Sequence, residues 1–128
     1  MSHTIKNLRE VEDSAPKFGF GERQEARFCG KDLDAEATGF ALMRVKPDQR
    51  QGFAHKHEDA EEVYFVLSGS GRIKLDDEVF DLQPYDAVRI APGVARAMEG
   101  GPEGLEYLAF GPRHEGDGEL IQDPGFWG

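Results

Sequence analysis

The chain has a single cysteine, Cys29, so no internal disulfide can form, and a reducing, cytoplasmic setting is expected. No stretch approaches the roughly 18 consecutive apolar residues that cross a bilayer. The opening residues Met1 to Leu8 also lack the apolar run of a secretory leader, so a soluble chain with no membrane partner is expected. Positive charge is scarce: 15 Lys and Arg stand against 25 Asp and Glu, a net charge of -10. Such a surface repels phosphate backbones and anionic lipids, which excludes nucleic acid as an expected partner. Amphipathic helices of convincing length are missing, as is any internal repeat. There is no enrichment in amides of the kind a storage protein carries.

What the chain does have is punctuation. Its 16 glycines and 7 prolines are spread at short intervals through 128 residues, which suits many short strands better than helices. That length supports one hydrophobic core. The expected layout is an N-terminal arm over 1–24, laid on the main body or on a partner subunit, a β-domain over 25–112, and a tail over 113–128. Strands are expected at 25–29, 38–46, around the histidines at 55 and 57, and at 62–67, where Ser68-Gly69-Ser70-Gly71 reads as a turn. A hairpin over 72–82 turns at Asp76-Asp77, and further strands follow at 86–90, 94–98 and 104–110. In the tail, Phe126-Trp127 is expected to dock, because exposing both rings forfeits a few kcal/mol of burial.

The chemistry gathers in Gly52 to Gly69. His55 and His57 are separated by one residue, so on a strand they share a face, about 6 to 7 Å apart at Cα. Glu62 opens the following run Glu62-Val63-Tyr64-Phe65-Val66-Leu67, rich in β-branched and aromatic residues. Its carboxylate completes a set of two histidines and one carboxylate, a donor type that suits iron, manganese, nickel or zinc with positions left open. Tyr64 shares the face of Glu62. Cys29, with no histidine near it in sequence, reads as a small core residue, and His114 as part of a solvated loop.

These residues resemble the cupin superfamily. His55-Lys56-His57, four residues, Glu62, six residues and Gly69 look like its first motif, although Gln49 stands where that motif opens with glycine. The second motif is similar to Tyr85 through Arg96, with departures: Tyr85 replaces a glycine, Ala91 a proline, and Gly100 a frequent asparagine. Most consequential, Arg96 occupies the place of the third histidine ligand. The resemblance runs from about 38 to 110 and implies an all-β, jelly-roll barrel (a double-stranded β-helix), often dimeric, with His55, His57 and Glu62 facing one another inside. Arg96 bears on that site in one of two ways. It swings aside, leaving three ligands for a divalent metal, or it pairs with Glu62 and leaves the pocket metal-free. A fixed cation there would also suit the carboxylate or phosphate of a small anion.

Two functions follow. One is a binding domain that takes a divalent metal, a small anionic metabolite or both, with Arg96 and Tyr64 as ligand contacts. The alternative is a metal-dependent oxygenase or isomerase acting on a small organic acid. Phe40, Leu42, Phe53 and Phe110 are candidates for pocket lining or core. Finally, the strand from Val63 to Leu67 is apolar on both faces, with Tyr64 and Val66 on one and Val63, Phe65 and Leu67 on the other. Something must cover its outer side, and a second subunit is the simplest cover, so a homodimer is expected.

Overall fold

The computed structural model describes residues 2–113, 117–121 and 125–128, and His114 lies outside them. Eight antiparallel strands make one curled sheet: β1 (Gln24–Phe28), β2 (Thr38–Val45), β3 (Ala54–His57), β4 (Glu62–Leu75), β5 (Glu78–Leu82), β6 (Ala87–Ile90), β7 (Arg96–Pro112) and β8 (Gly118–Ile121). Among the described residues there is no α-helix, and no helix is long and apolar enough to cross a membrane. The all-β barrel expected from the sequence is the fold observed.

β4 and β7 are the long members, and they carry the curl. They pair along their length, from Val63 opposite Phe110 to Leu75 opposite Arg96, with breaks of register near Val66–Ser68 and Gly69–Gly71. The expected turn at Ser68–Gly71 is therefore a pair of bulges inside one continuous strand. Glycines of this kind permit a strand to bend and twist without leaving its partner. Likewise the strands expected at 94–98 and 104–110 are one. Between Gly71–Gly100 and Gly69–Leu105, two steps along β4 oppose five along β7, so the residues around Pro102 bulge outward. Ser-Gly and Gly-Pro clusters carry the same composition whether they reverse a chain or kink a strand, which is why the sequence reads as turns.

Strands β2, β4, β5, β6 and β7 supply the core. Val45, Tyr64, Val66, Ile73, Leu82, Ile90, Met98, Leu105 and Tyr107 form its main cluster, so the inward face of β4 is the one carrying Tyr64 and Val66. A second cluster holds Val11, Cys29 and Leu42. Val11 thus ties the N-terminal segment to its own barrel, helped by Arg9, which donates to the Glu106 carboxylate at 3.2 Å. Cys29 is fully buried. Its thiol donates to the Arg27 carbonyl, and desolvation pushes its ionisation up, as befits a packing residue. Phe126 and Trp127 dock as expected. The Trp127 ring lies 4.9 Å from the Arg50 guanidinium, and Lys74 donates to the Phe126 carbonyl.

Candidate functional site

β3 and the start of β4 bring the histidines and the glutamate together. On β3, His55 and His57 project to one side, and Lys56 is placed for an ion pair with Glu119 of β8 at 3.5 Å. Register fixes the fourth member: His55 lies opposite Arg96, the first residue of β7. Glu62 opens β4 and is paired with Ile90 of β6. The result is a floor on which one carboxylate oxygen is shared. Glu62 Oε1 lies 3.2 Å from His57 Nε2 and 3.9 Å from His55 Nε2, and it also accepts a hydrogen bond from Arg96 Nη2. The two imidazole rings are nearly perpendicular, with centroids 5.4 Å apart.

Arg96 settles the choice between swinging aside and pairing. Its side chain has no exposed surface, Nε donates to the Tyr64 hydroxyl at 3.2 Å, and Nη1 donates to the Val94 carbonyl at 3.0 Å. The guanidinium is therefore clamped from three directions with Glu62 as its counter-charge. It stands behind Glu62 and Tyr64 and is not among the residues lining the cavity above them. Tyr64 does line that cavity, and its hydroxyl is 3.3 Å from His55 Nε2. Both residues are expected from the sequence as ligand contacts; Tyr64 lines the cavity, whereas Arg96, turned inward to Glu62, Tyr64 and Val94, reaches it only through the groups it holds.

The electrostatics follow from this packing. Burial opposes ionisation of Glu62, but the neighbouring His55 and His57 imidazoles and the charge of Arg96 outweigh it and hold its carboxyl below the usual carboxylate range. Desolvation dominates at His55 and lowers its affinity for a proton, despite the nearby Glu62 carboxylate. Desolvation also pushes the Tyr64 hydroxyl up to about 12, so it serves as a neutral donor and acceptor.

Donor type and spacing fit a divalent ion: His55, His57 and Glu62 offer ligand atoms all within 4.8 Å of one another. What weighs against tight binding is the guanidinium on the shared oxygen. Two unit positive charges about 4 Å apart repel by about 4 kcal/mol at an effective dielectric near 20, and a divalent ion doubles that. Metal binding at fully assembled structural zinc sites is worth about 10 to 16 kcal/mol, so the repulsion weakens an ion without excluding it.

Above the floor opens a cavity of about 390 Å³. Phe40 and Phe53 line it, whereas Leu42 belongs to the Val11–Cys29 cluster and Phe110 packs beside Phe40 with ring centroids 6.4 Å apart. Two supporting residues escape a reading of the sequence alone. Gln51 donates to the Tyr107 hydroxyl at 3.0 Å and accepts from the Met98 amide, fixing the cavity wall. Asp117 accepts from the amides of Asp59 and Ala60 and lies 3.5 Å from His57 Nδ1, holding the loop that delivers Glu62. Both are distant in sequence from their partners, and only the tail's return as β8 against β3 brings Asp117 near.

The family model described as Cupin domain matches residues 41–109. An oxalate-binding protein of Thermotoga maritima is 30% identical over 93 residues, covering 71% of this chain and 76% of that protein. An uncharacterised protein of Methanocaldococcus jannaschii is 32% identical over 81 residues, 61% of this chain and 65% of the relative, just under two thirds of its length. Among solved structures, a cupin protein of Bacteroides fragilis superposes with a TM-score of 0.70 at 20% identity, covering 91% of this chain and 88% of the other. The matched segment holds the long strands of the barrel and the whole His55–Arg96 floor, and on that match the chain belongs to the cupin family.

Proposed function

We propose that the barrel cavity binds a small organic molecule beside a weak, three-donor site for a divalent metal. The observation that carries this reading is the shared Glu62 oxygen at the cavity floor: two imidazoles reach it from one side and a buried guanidinium from the other. His55, His57 and Glu62 would hold the metal, be it iron, manganese, nickel or zinc. When bound, such an ion supplies Lewis-acid polarisation of a ligand oxygen. The remaining roles belong to the chain itself. Tyr64 presents its hydroxyl beside His55, and Arg96 positions both Tyr64 and Glu62 from behind. The relative named for oxalate binding supports a small-molecule ligand.

A thermal-shift screen of small organic acids and neutral compounds, run with and without chelator, tests this reading. Stabilisation that survives chelation and disappears in Tyr64→Phe or His57→Ala is expected. A screen with no stabilising compound in either condition would refute it. The second reading, a metal-dependent oxygenase or isomerase acting on a small organic acid, is favoured by the two-histidine, one-carboxylate donor set. Turnover that requires added iron(II) or manganese and is lost in His57→Ala would establish it instead.

Self-association belongs to the same proposal. On the outer side of β4, Val63 and Phe65 are only half-buried and Leu67 is exposed, while Tyr85, 81% exposed, stacks edge-on against Phe65. A second copy covering this face makes a homodimer. Light scattering coupled to size-exclusion chromatography at micromolar concentration should read twice the 14.2 kDa chain mass, and Leu67→Lys should halve it. A wild-type monomer would remove the dimer from the proposal.

A further inference from the structure

We infer that the occupant of the cavity is a flat, ring-bearing molecule with one polar end, and not a short diacid, an inference that rests on reading the cavity as a ligand site. Three observations point the same way. First, the walls are apolar and aromatic: Phe40, Met43 and Phe53 line the sides, and Phe28 and Leu120 line the mouth. At about 390 Å³ the space falls near the small end of the range for organic ligand sites, which are themselves mostly apolar with a few placed polar groups. A two-carbon diacid has no surface to lay against these side chains.

Second, four polar side chains meet at the inner end, while Gln51, Arg113 and Glu119 complete the polar part of the lining. His55, His57, Glu62 and Tyr64 cluster there, within 3.2 to 3.9 Å of one another through Glu62 and the Tyr64 hydroxyl. Arg96 pairs with Glu62 from behind the wall, where its donors already serve Glu62, Tyr64 and Val94. A single hydroxyl, carbonyl or ring nitrogen meets the imidazoles and the Tyr64 hydroxyl there, which can donate and accept hydrogen bonds. A two-carbon diacid would fill only this inner end and leave the apolar walls uncovered.

Third, the mouth is incomplete without an apolar occupant. Phe28 and Leu120 are large apolar residues left 57% and 58% exposed, yet both border the opening. They sit on strands that never adjoin, β1 and β8, so only the cavity relates them. A ring-bearing molecule seated between them would remove apolar surface of both from water.

The test uses the full chain, purified and chelated, titrated with 2-naphthol and separately with sodium oxalate while amide resonances are followed by heteronuclear NMR. Saturable shifts from 2-naphthol at Gly39, Ala41 and Phe53, with none from oxalate, are expected. Phe28→Ser and Leu120→Ser alter exposed positions and should leave folding intact; each should weaken 2-naphthol binding about tenfold. Oxalate shifting those amides while 2-naphthol does not would overturn the ligand class and leave the cavity as a ligand site. Silence from both compounds would overturn the class, and so would shifts from 2-naphthol confined to the outer face around Phe65. In those cases the ligand-site reading is judged separately by the compound screen. Binding unaltered in both mouth variants would overturn the placement of the ring between Phe28 and Leu120.

Discussion

Arg96→Leu is expected to destabilise the fold by about 3 to 5 kcal/mol at neutral pH, the cost of removing one partner from a buried ion pair. The guanidinium has no exposed surface and the Glu62 side chain only 19%, so water reaches the carboxylate left behind from the cavity side alone. The substitution also strips a donor from the Tyr64 hydroxyl and from the Val94 carbonyl. The cost depends on pH with a definite sign. Glu62 has a folded-state affinity for protons lowered partly by Arg96, so this contribution to stability is complete above the usual carboxylate range and is lost as pH falls below it. The gap between wild type and Arg96→Leu in urea unfolding should therefore be widest near pH 7 and narrow in acid, where the unfolded chain takes up a proton at Glu62 that the folded wild type does not. His55, whose proton affinity is also lowered, adds a loss of wild-type stability that begins below its ordinary value of 6.5. A gap that stays constant from pH 7 to pH 3 would mean that Arg96 acts by packing alone.

Gly69→Ala is expected to cost about 3 kcal/mol or more, or to prevent folding. Gly69 sits at the bulge in β4 with φ +80°, and a Cβ built there would lie 2.0 Å from the Gly104 carbonyl oxygen of β7. Two penalties coincide. A left-handed conformation costs a residue with a Cβ about 1 to 2 kcal/mol, and β4 and β7, the longest ladder in the barrel, must also be forced apart. Gly93 separates the two. It has nearly the same φ, +83°, but a Cβ added there would meet nothing within 4 Å. Gly93→Ala should accordingly lose only the conformational part, about 1 kcal/mol. Equal losses from the two substitutions, compared by thermal or urea unfolding, would show that close approach to Gly104 does not matter.

These two positions also mark how far the sequence is legible. His55, His57, Glu62 and Gly69 stand out because their chemistry and spacing are local: alternation on a strand and a short run to the next one place them without knowledge of the rest. Gly69 is picked out by its spacing from Glu62, yet it reads as part of a turn, since composition alone does not separate a chain reversal from a bulge. Arg96 is legible as a departure from the pattern, but its state is not. Whether it swings aside or pairs depends on Tyr64 and Val94, whose partnership is set by the register of β7 against β3. Asp117 and β8 are illegible for a related reason. Four residues, Gly118–Ile121, carry little periodicity, and the strand exists because the edge of β3 offers backbone partners from Ala54 to His57. The apolar alternation of Val63 to Leu67 does separate the two faces of the strand correctly, with Tyr64 and Val66 together in the core.

The most direct measurement is metal content by inductively coupled plasma mass spectrometry, on protein purified without a histidine tag or chelator, with Arg96→His prepared in parallel. Far less than one equivalent of metal in the wild type and close to one in Arg96→His are expected, because the substitution replaces a cation fixed on Glu62 with a fourth ligand. Near-stoichiometric metal in the wild type would contradict the role given to Arg96, and would make His55, His57 and Glu62 a sufficient metal centre.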